Sequence, residues 1–306
     1  MQKTRRQVLD ALADGPVSGP ELAAQLDISR AAVWKHVEAL REQGFEITSS
    51  GTGYELTSPP TYGPGVSLGL DVPFEIESHD SIGSTNERAR ELAAAGAENV
   101  VVLADEQTGG RGRLDREWVS PSGGIWCSIL VRPTVPTADA PIYTLAAAVA
   151  TTRAVREAGV EATIKWPNDV LVDGRKLAGI LTEMEGEADR IGWLVVGIGL
   201  NANISPDAVP TDNATSLRAE TGDVNRRLLT QRLLEEFYTL HTNHDRILPA
   251  WCEYADTLGR RVRVETGDKT VVGTAVDISW PGTLHVETET GIEMVASGDC
   301  EHLRPV

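Results

Sequence analysis

The stretch Gly109-Gly110-Arg111-Gly112-Arg113 begins the part of the sequence that decides both the fold and the chemistry of this chain. Glycine disfavours helices and frees the backbone, so this stretch is expected to be a loop. Two further motifs follow, Lys165-Trp166-Pro167-Asn168-Asp169 and Lys176-Leu177-Ala178-Gly179-Ile180, and they contain two of the chain's five lysines. Arginines in a loop together with lysines at strand ends suit an anionic substrate that carries phosphate and carboxylate groups.

Around these motifs the hydrophobic pattern alternates between strands and helices. Strands are expected at 100–104, 125–131, 163–165, 170–172, 179–185 and 191–199, and helices at 87–95, 141–158 and 226–248. Beyond Lys165 the turns between consecutive strands are too short to contain crossover helices. The sheet must therefore be largely antiparallel or mixed, which makes the central domain α+β.

Residues 1–58 form a separate unit by the same criteria. Apolar residues recur at three- and four-residue steps in three short segments, and Ser18 and Ser29 stand where helix N-caps belong. A glycine turn at residues 51–53 then joins two short strands. Three helices and a two-stranded wing predict a winged helix-turn-helix.

Two further boundaries follow from composition. Residues 59–70 contain Pro59, Pro60, Gly63, Pro64 and Gly65 and are expected to be a linker to a central domain at 71–257. From residue 258 to 306, short β-patterned segments alternate with turn residues. This spacing predicts a small C-terminal β-barrel.

The composition bounds the class of protein. The net charge of −17 and the scarcity of lysine indicate either a surface kept soluble by self-repulsion or adaptation to a salt-rich cytoplasm. Cys127, Cys252 and Cys300 are odd in number and lack metal-ligand spacing, so reduced thiols in the cytoplasm are expected. No apolar run approaches the roughly 20 residues that span a bilayer, so no membrane partner is expected.

Taken in order, the three motifs closely resemble those of the biotin protein ligases. Gly197-Ile198-Gly199-Leu200-Asn201 and Ser84-Thr85-Asn86 also match segments of that family, and Ser29-Arg30-Ala31-Ala32-Val33-Trp34 resembles the recognition helix of its bifunctional members. Those members also repress the biotin operon. The resemblance covers nearly the whole chain and implies a catalytic domain related to class II aminoacyl-tRNA synthetases, followed by an SH3-like barrel.

The resemblance implies a two-step reaction, in which biotin is activated by ATP and then transferred to a lysine of a biotin carboxyl carrier protein of acetyl-CoA carboxylase. It assigns catalysis to Lys176, Arg111, Arg113 and Asp169, with Asp169 also a ligand of Mg²⁺. Biotin contacts are expected from Ser84, Thr85, Asn86, Gln107, Arg111, Gly112, Arg113 and Lys176. ATP contacts are expected from Arg111, Arg113, Arg116, Trp118, Lys165, Asn168, Asp169, Lys176 and Asn201.

Operator DNA and a homodimer are the further partners that the resemblance implies. DNA contacts are expected from Ser29, Arg30, Ala31, Trp34, Lys35 and His36. Six positive and eight negative side chains leave residues 1–58 at −2, far less acidic than the remainder of the chain, which suits a DNA-facing module. A winged helix also serves as a protein-interaction module.

Two alternatives to a ligase with repressor activity remain. One is a biotin-sensing DNA-binding regulator without ligase turnover, and the presence of Lys165, Asp169 and Lys176 disfavours it. The other is a lipoate–protein ligase, which shares the catalytic architecture but typically has an Arg-Arg-x-Ser-Gly-Gly run that this sequence lacks.

Overall fold

The computed structural model describes residues 3–51, 53–187, 189–209 and 213–303. The helices of this part are α1 (Lys3–Ala13), α2 (Gly19–Gln25), α3 (Arg30–Glu42), α4 (Thr85–Ala94), α5 (Pro141–Glu157), α6 (Leu217–Thr221), α7 (Arg226–His241) and α8 (Ile247–Tyr254). The strands are β1 (Glu46–Ser50), β2 (Gly53–Ser58), β3 (Glu75–Ile82), β4 (Val100–Gln107), β5 (Ile125–Val131), β6 (Thr163–Lys165), β7 (Asp169–Val172), β8 (Arg175–Glu187), β9 (Arg190–Leu200), β10 (Arg261–Glu265), β11 (Thr270–Ser279), β12 (Thr283–Thr288), β13 (Gly291–Val295) and β14 (Asp299–His302). None of these helices is long and apolar enough to cross a bilayer.

The N-terminal unit is a winged helix-turn-helix, as the sequence predicts. Helices α1 to α3 and the hairpin β1–β2 enclose their own core, which includes Val8, Leu22, Val37 and Phe45. Ser18 and Glu21 form a reciprocal capping box that starts α2, and Ser29 caps α3 through the backbone amide of Ala32. The starts of α2 and α3 are therefore satisfied by side chains, and Arg6 on α1 joins the unit to the next segment by donating to the Leu70 and Phe74 carbonyls.

The segment expected to be a linker is a packed connection. Tyr62, Val66 and Leu70 are buried in the core of the central domain, and Gln231 Nε2 on α7 donates a hydrogen bond to the Val66 carbonyl at 3.0 Å. The Pro and Gly residues set the turns of the segment, as composition suggests. The apolar residues between them bury their side chains, which fixes the connection to the core of the central domain.

The central sheet is mixed and has the strand order β3-β4-β5-β9-β8-β7-β6. Only β3 and β4 run parallel, joined through α4, and the other neighbours are antiparallel. Strand β3 was not anticipated from the sequence. It lies at the sheet edge and buries Ile76 alone, so it lacks the apolar alternation that identifies a half-buried strand.

The prediction of one continuous helix over residues 226–248 is wrong. Helix α7 ends at His241, a 3₁₀ turn covers His244–Arg246, and α8 then begins at Ile247. The Asn243 side-chain amide donates a hydrogen bond to the Thr239 carbonyl. In a continuing α-helix that carbonyl would instead accept from the backbone amide of Asn243. A side chain that competes for a backbone acceptor in this way stops the helix.

The C-terminal unit is an antiparallel sheet with the order β13-β12-β11-β10-β14. Its buried residues, among them Val262, Leu284 and Val286, belong to the same core cluster as the central domain. Trp166 Nε1 donates to the Gly282 carbonyl at 2.9 Å across the junction. Asp299, the first residue of strand β14, forms an ion pair with Arg116 of the central domain.

Candidate active site

One cavity of about 1070 Å³ lies between the central sheet, the arginine loop and strand β14. The loop supplies residues 111–114 and 116–119, the start of α4 supplies Ser84 to Glu87, and the sheet supplies the glycines of β8 and β9. All fourteen residues that the sequence analysis selects for biotin and ATP line it: Ser84, Thr85, Asn86, Gln107, Arg111, Gly112, Arg113, Arg116, Trp118, Lys165, Asn168, Asp169, Lys176 and Asn201. The tertiary fold therefore gathers motifs that are far apart in the sequence.

The start of α4 forms a polar end of the cavity. Ser84 accepts a hydrogen bond from the Glu87 amide and so acts as the helix N-cap. Gln107 Oε1 accepts from the amide and hydroxyl of Thr85 at 2.8 and 2.9 Å, while Gln107 Nε2 donates to Ser120 Oγ at 2.9 Å. The contacts fix the orientation of the Gln107 amide and hold Thr85 against the end of β4.

Asn86 is held by residues that the sequence analysis did not select. Its Nδ2 donates to Glu183 Oε2 at 2.7 Å, and its Oδ1 accepts from Ser128 Oγ at 2.6 Å. Ser128 is fully buried in β5, and a Cβ at Gly197 would come within 2.2 Å of Asn86 Oδ1. Ser128 is the single serine in the apolar run 125–131. Because a buried hydroxyl needs a hydrogen-bond partner, this serine was the feature of the sequence that could have indicated the network.

Lys176, Asp169 and Trp118 form the centre of the cavity. Lys176 Nζ lies 2.6 Å from Asp169 Oδ1 and 5.0 Å from the centroid of the Trp118 ring. Strands β7 and β8 bring the lysine and the aspartate together through an antiparallel pairing with a register shift. The ammonium is thus fixed by a carboxylate on one side and an aromatic ring on the other.

Gly179 on β8 and Gly199 on β9 allow the Trp118 ring to lie flat against the sheet. A Cβ at Gly199 would lie 2.5 Å from Trp118 Nε1, and one at Gly179 would lie 3.1 Å from the edge of the same ring. Trp118 Nε1 is buried without a hydrogen-bond acceptor among the described residues. Among the described residues, the indole N–H of Trp118 is therefore an unused hydrogen-bond donor next to Lys176. The strand position under the ring has room only for glycine.

The arginines of the loop have different environments. The side chain of Arg111 is exposed and makes no hydrogen bond or ion pair within the described ranges. Arg113 donates to Asn168 Oδ1 at 3.1 Å and to the Gly298 carbonyl at 3.0 Å, and Arg116 pairs with Asp299. Gly298 and Asp299 were not selected from the sequence, because no motif identifies them.

Lys165 and Asn168 lie where the cavity meets the C-terminal sheet. Asn168 Nδ2 donates to the Ile180 carbonyl at 2.8 Å, which orients its Oδ1 toward Arg113. Burial lowers the pKa of nearby His302 to about 4; the positive charge of Lys165 acts in the same direction and Asp256 opposes it. His302 is therefore neutral at physiological pH, and Lys165 and Arg260 are cations at this end of the cavity.

Asn201, the last residue of the motif 197–201, makes a hydrogen bond within the fold. Its Nδ2 donates to the Thr215 carbonyl at 2.9 Å, and the residue is almost completely buried. The amide therefore fixes the connection after β9, although the residue also borders the cavity.

The residues selected for DNA contact lie apart from the cavity, on α3. Arg30, Ala31, Trp34 and Lys35 are exposed, with 58% of the Trp34 surface accessible. Ser29 is the N-cap of the helix. His36 is half-buried, and burial together with the neighbouring Arg5 lowers its pKa.

Three family models match successive parts of the chain. The family model described as HTH domain matches residues 4–55, the Biotin/lipoate A/B protein ligase family matches residues 80–201, and the Biotin protein ligase C terminal domain matches residues 257–303.

Relatives extend over nearly the whole chain. Bifunctional ligase/repressor BirA of Bacillus subtilis is 38% identical over 303 residues, covering 93% of each chain, and its Escherichia coli counterpart is 28% identical over 96% of this chain and 95% of its own. Among solved structures, biotin protein ligase from Aquifex aeolicus in complex with biotin and ATP superposes with a TM-score of 0.61 at 28% identity, covering 75% of this chain and 98% of that one. With the winged helix-turn-helix, the mixed sheet and the C-terminal sheet all matched, this chain belongs to the family of bifunctional biotin protein ligases and repressors.

Proposed function

We propose that this protein activates biotin with ATP to biotinyl-5'-AMP, transfers the biotinyl group to a lysine of a carrier protein, and represses transcription in response to biotin. The observation that carries the proposal is the Lys176–Asp169 pair, with Trp118 beside it, in a cavity that also contains the Thr85–Gln107 network and the exposed Arg111. One end offers fixed hydrogen bonds and the other offers cations, which suits a small polar head group joined to a nucleotide.

Biotin is assigned to the end of the cavity at α4. Its ureido head both donates and accepts hydrogen bonds, and Thr85, Asn86 and Gln107 supply both kinds of polar group. Their orientations are fixed by Ser120 and Ser128, so little ordering is required when the head group binds. The apolar ring and chain would then extend along the glycines of β8 and β9 toward Lys176.

The first chemical step joins the biotin carboxylate to the α-phosphate of ATP. A carboxylate oxygen attacks phosphorus, the bond to the β-phosphate oxygen breaks, and pyrophosphate leaves. Lys176 would neutralise the carboxylate and the α-phosphate together, while Arg111 and Arg113 would stabilise charge on the phosphoryl oxygens. The Lys176 ammonium is already held in place by Asp169, so its position requires no reorganisation.

The second step transfers the acyl group. The ε-amine of the acceptor lysine attacks the acyl carbon of the mixed anhydride, AMP leaves, and an amide bond forms with the loss of a proton. Asp169 is the carboxylate nearest to Lys176 and is assigned to accept that proton. A carrier protein of acetyl-CoA carboxylase is the acceptor that we propose, and the cytoplasm is the compartment.

A magnesium ion fits this site only as a partner of the nucleotide. The described residues contain no group of three or more His, Cys, Asp or Glu side chains that could hold a metal. Mg²⁺ commonly uses one or two carboxylates together with substrate phosphates, and Asp169 could supply such a carboxylate. When bound, the ion supplies neutralisation of the phosphate charge.

The winged helix-turn-helix supports the regulatory part of the proposal. Helix α3 presents Arg30, Trp34 and Lys35 to solvent, which is the arrangement expected of a recognition helix. We propose that the adenylate favours a homodimer, which would present two such helices to an operator at once. Few basic residues are available, so the dependence of binding on salt should be shallower than for a strongly basic repressor.

Isotope exchange between ATP and pyrophosphate tests the enzymatic part. Exchange that depends on biotin and is absent with lipoate supports the ligase, while exchange with lipoate alone indicates the related lipoate chemistry. Exchange with neither acid contradicts both. Biotin binding without exchange indicates a sensor that lacks turnover.

An operator-binding titration tests the regulatory part. The promoter of a biotin-synthesis or biotin-uptake gene is the DNA probe, and the titration is repeated with and without biotin and ATP at several salt concentrations. Affinity that rises with the ligands supports the repressor. Sequence-independent binding, or none at low salt, would leave residues 4–56 as a protein-interaction module.

A further inference from the structure

The arginine loop of the catalytic domain is joined to the C-terminal sheet by a small group of contacts. Arg116 forms an ion pair with Asp299, and Arg113 Nη2 donates to the Gly298 carbonyl at 3.0 Å and lies 3.9 Å from Asp299 Oδ1. Both arginines thus reach the same short stretch of the C-terminal domain. No motif in the sequence links the loop to that stretch.

The conformation of the loop places both arginines on one side. The Gly112 amide donates to the Arg116 carbonyl at 2.7 Å, and the Trp118 amide donates to the Gly110 carbonyl at 2.9 Å, closing a tight turn. Leu114 at the tip has a positive φ of 55° and is 75% exposed. An exposed leucine in a left-handed conformation gains nothing from packing, so contacts elsewhere must hold this turn.

The C-terminal side of the contact is part of a β-sheet. Asp299 is the first residue of β14 and is paired with Glu265 of β10. A Cβ at Gly298 would lie 2.7 Å from the Glu265 carbonyl oxygen, so the preceding backbone is packed directly against the neighbouring strand. The arginine loop is therefore joined to a carboxylate that lies at the start of a paired strand.

The contact also connects to the catalytic motifs. Arg113 Nη1 donates to Asn168 Oδ1, so one guanidinium joins the loop, the Lys-Trp-Pro-Asn-Asp motif and the C-terminal sheet. Arg111 takes no part in these contacts and keeps its cation exposed. The loop can therefore be closed over the cavity while one arginine remains available for phosphate.

We propose that Asp299 is a positioning residue that holds the arginine loop closed over the cavity, so that the C-terminal sheet sets how long the activated intermediate is retained. Asp299 acts through Arg113 and Arg116. The part concerning retention rests on the proposed ligase function, whereas the part concerning loop closure does not.

Hydrogen–deuterium exchange of the ligand-free, full-length protein tests loop closure without any activity. Asp299→Asn keeps the size of the side chain and removes its charge. An exposed ion pair shifts an equilibrium by at most about five-fold, so the amides of Gly112, Arg116 and Trp118 should exchange about two- to five-fold faster. Asp299→Glu should restore slow exchange.

Salt and a second substitution separate an ion pair from a general loss of structure. Raising the salt concentration should speed exchange in the original protein but not in Asp299→Asn, because only the former has a charge pair to screen. Arg116→Gln should add little in the Asp299→Asn background. Glu293→Gln, which removes an exposed pair with Lys269 in the same domain, is the matched control. Unchanged loop exchange in Asp299→Asn, or fully additive effects, would overturn the proposal.

Dissociation of biotinyl-adenylate, measured by a filter-binding chase, tests retention. Release should be about two- to five-fold faster in Asp299→Asn than in the original protein. Faster loop exchange with unchanged release would overturn the retention claim alone. An absence of biotin-dependent exchange in the original protein would instead contradict the proposed function and leave the loop-closure result standing.

Discussion

The Lys176 ammonium lies 2.6 Å from the Asp169 carboxylate, so the two residues assigned to the two chemical steps hold each other in place. Both side chains are partly exposed to the cavity, at 33% and 20%. A pair in this setting contributes little to the free energy of unfolding, about 1 kcal/mol or less. Its value lies in fixing the ammonium where carboxylate and phosphate are expected to meet.

Lys176→Ala should therefore abolish adenylate formation while the protein remains folded. We expect a loss of at least about 100-fold in biotin-dependent pyrophosphate exchange, because a preorganised charge at the reacting centre is removed. Lys269→Ala is the control, since Lys269 forms an exposed pair with Glu293 and does not border the cavity. Near-normal exchange in Lys176→Ala would show that the role assigned to this lysine is wrong.

Arg113→Gly should retain some adenylate synthesis and release the intermediate early. The substitution removes contacts to both Asn168 and Gly298, so the loop loses its bridge between two domains. Labelling of unrelated proteins by the released adenylate is the expected result, measured beside retention on a filter. Arg218→Ala breaks a surface pair with Asp223 outside the cavity and should leave retention unchanged.

Gly199→Ala should displace the Trp118 ring without unfolding the sheet. The new methyl group would lie 2.5 Å from Trp118 Nε1, closer than side-chain atoms approach one another, and the ring is the part that can move. We expect KM for biotin or ATP to rise about ten-fold, together with a change in tryptophan fluorescence. Gly267→Ala, where a Cβ meets no atom within 4 Å, is the control. If neither the fluorescence nor KM changes, the Trp118 ring does not pack against Gly199 on β9.

Removal of the N-terminal domain should separate DNA binding from ligation, and the cut must precede Tyr62. A fragment that begins at residue 59 keeps Tyr62 and Val66 in the catalytic core and should ligate biotin without binding the operator. A fragment that begins at residue 69 loses both side chains and should be less stable by at least about 3 kcal/mol. Thermal melts of the two fragments measure the difference. Equal melting temperatures would contradict the packed connection.

His241 should make the protein less stable in mild acid. Its Nδ1 is buried without a hydrogen-bond partner among the described residues, and its ring stacks on Phe237 with centroids 5.9 Å apart. Burial, with a smaller effect of His244, lowers the pKa of His241 from 6.5 to about 4. The unfolded chain therefore binds more protons between these values, and stability falls as the pH drops from 6.5 toward 4.

His241→Phe should flatten this dependence on pH, by an amount on the order of 2 kcal/mol between pH 6.5 and 4.5. Denaturant unfolding at several pH values measures it. Part of the slope should remain, because burial also lowers the pKa of His302 to about 4. An unchanged slope would mean that His241 is protonated as readily in the folded protein as in the unfolded chain.

The sequence by itself determined the winged helix-turn-helix, the mixed sheet and many of the polar and charged residues around the cavity. These features depend on local information: periodic apolar residues, Ser29 as a helix cap, and glycine at Gly197 and Gly199. The motifs also indicated the chemistry, because arginines in a glycine-rich loop and lysines beside strand ends provide the cations that phosphate and carboxylate groups require.

Only the tertiary structure decided which residues hold the site together. Ser128 and Glu183 fix Asn86 across the sheet, and Asp299 reaches the arginine loop from 183 residues away in the sequence. The packed connection at Tyr62 was also decided by the tertiary structure. Its composition indicates a linker, but its apolar side chains are buried in the core of the central domain. Each depends on contacts between distant segments, and the energy of such contacts is not encoded in local propensity.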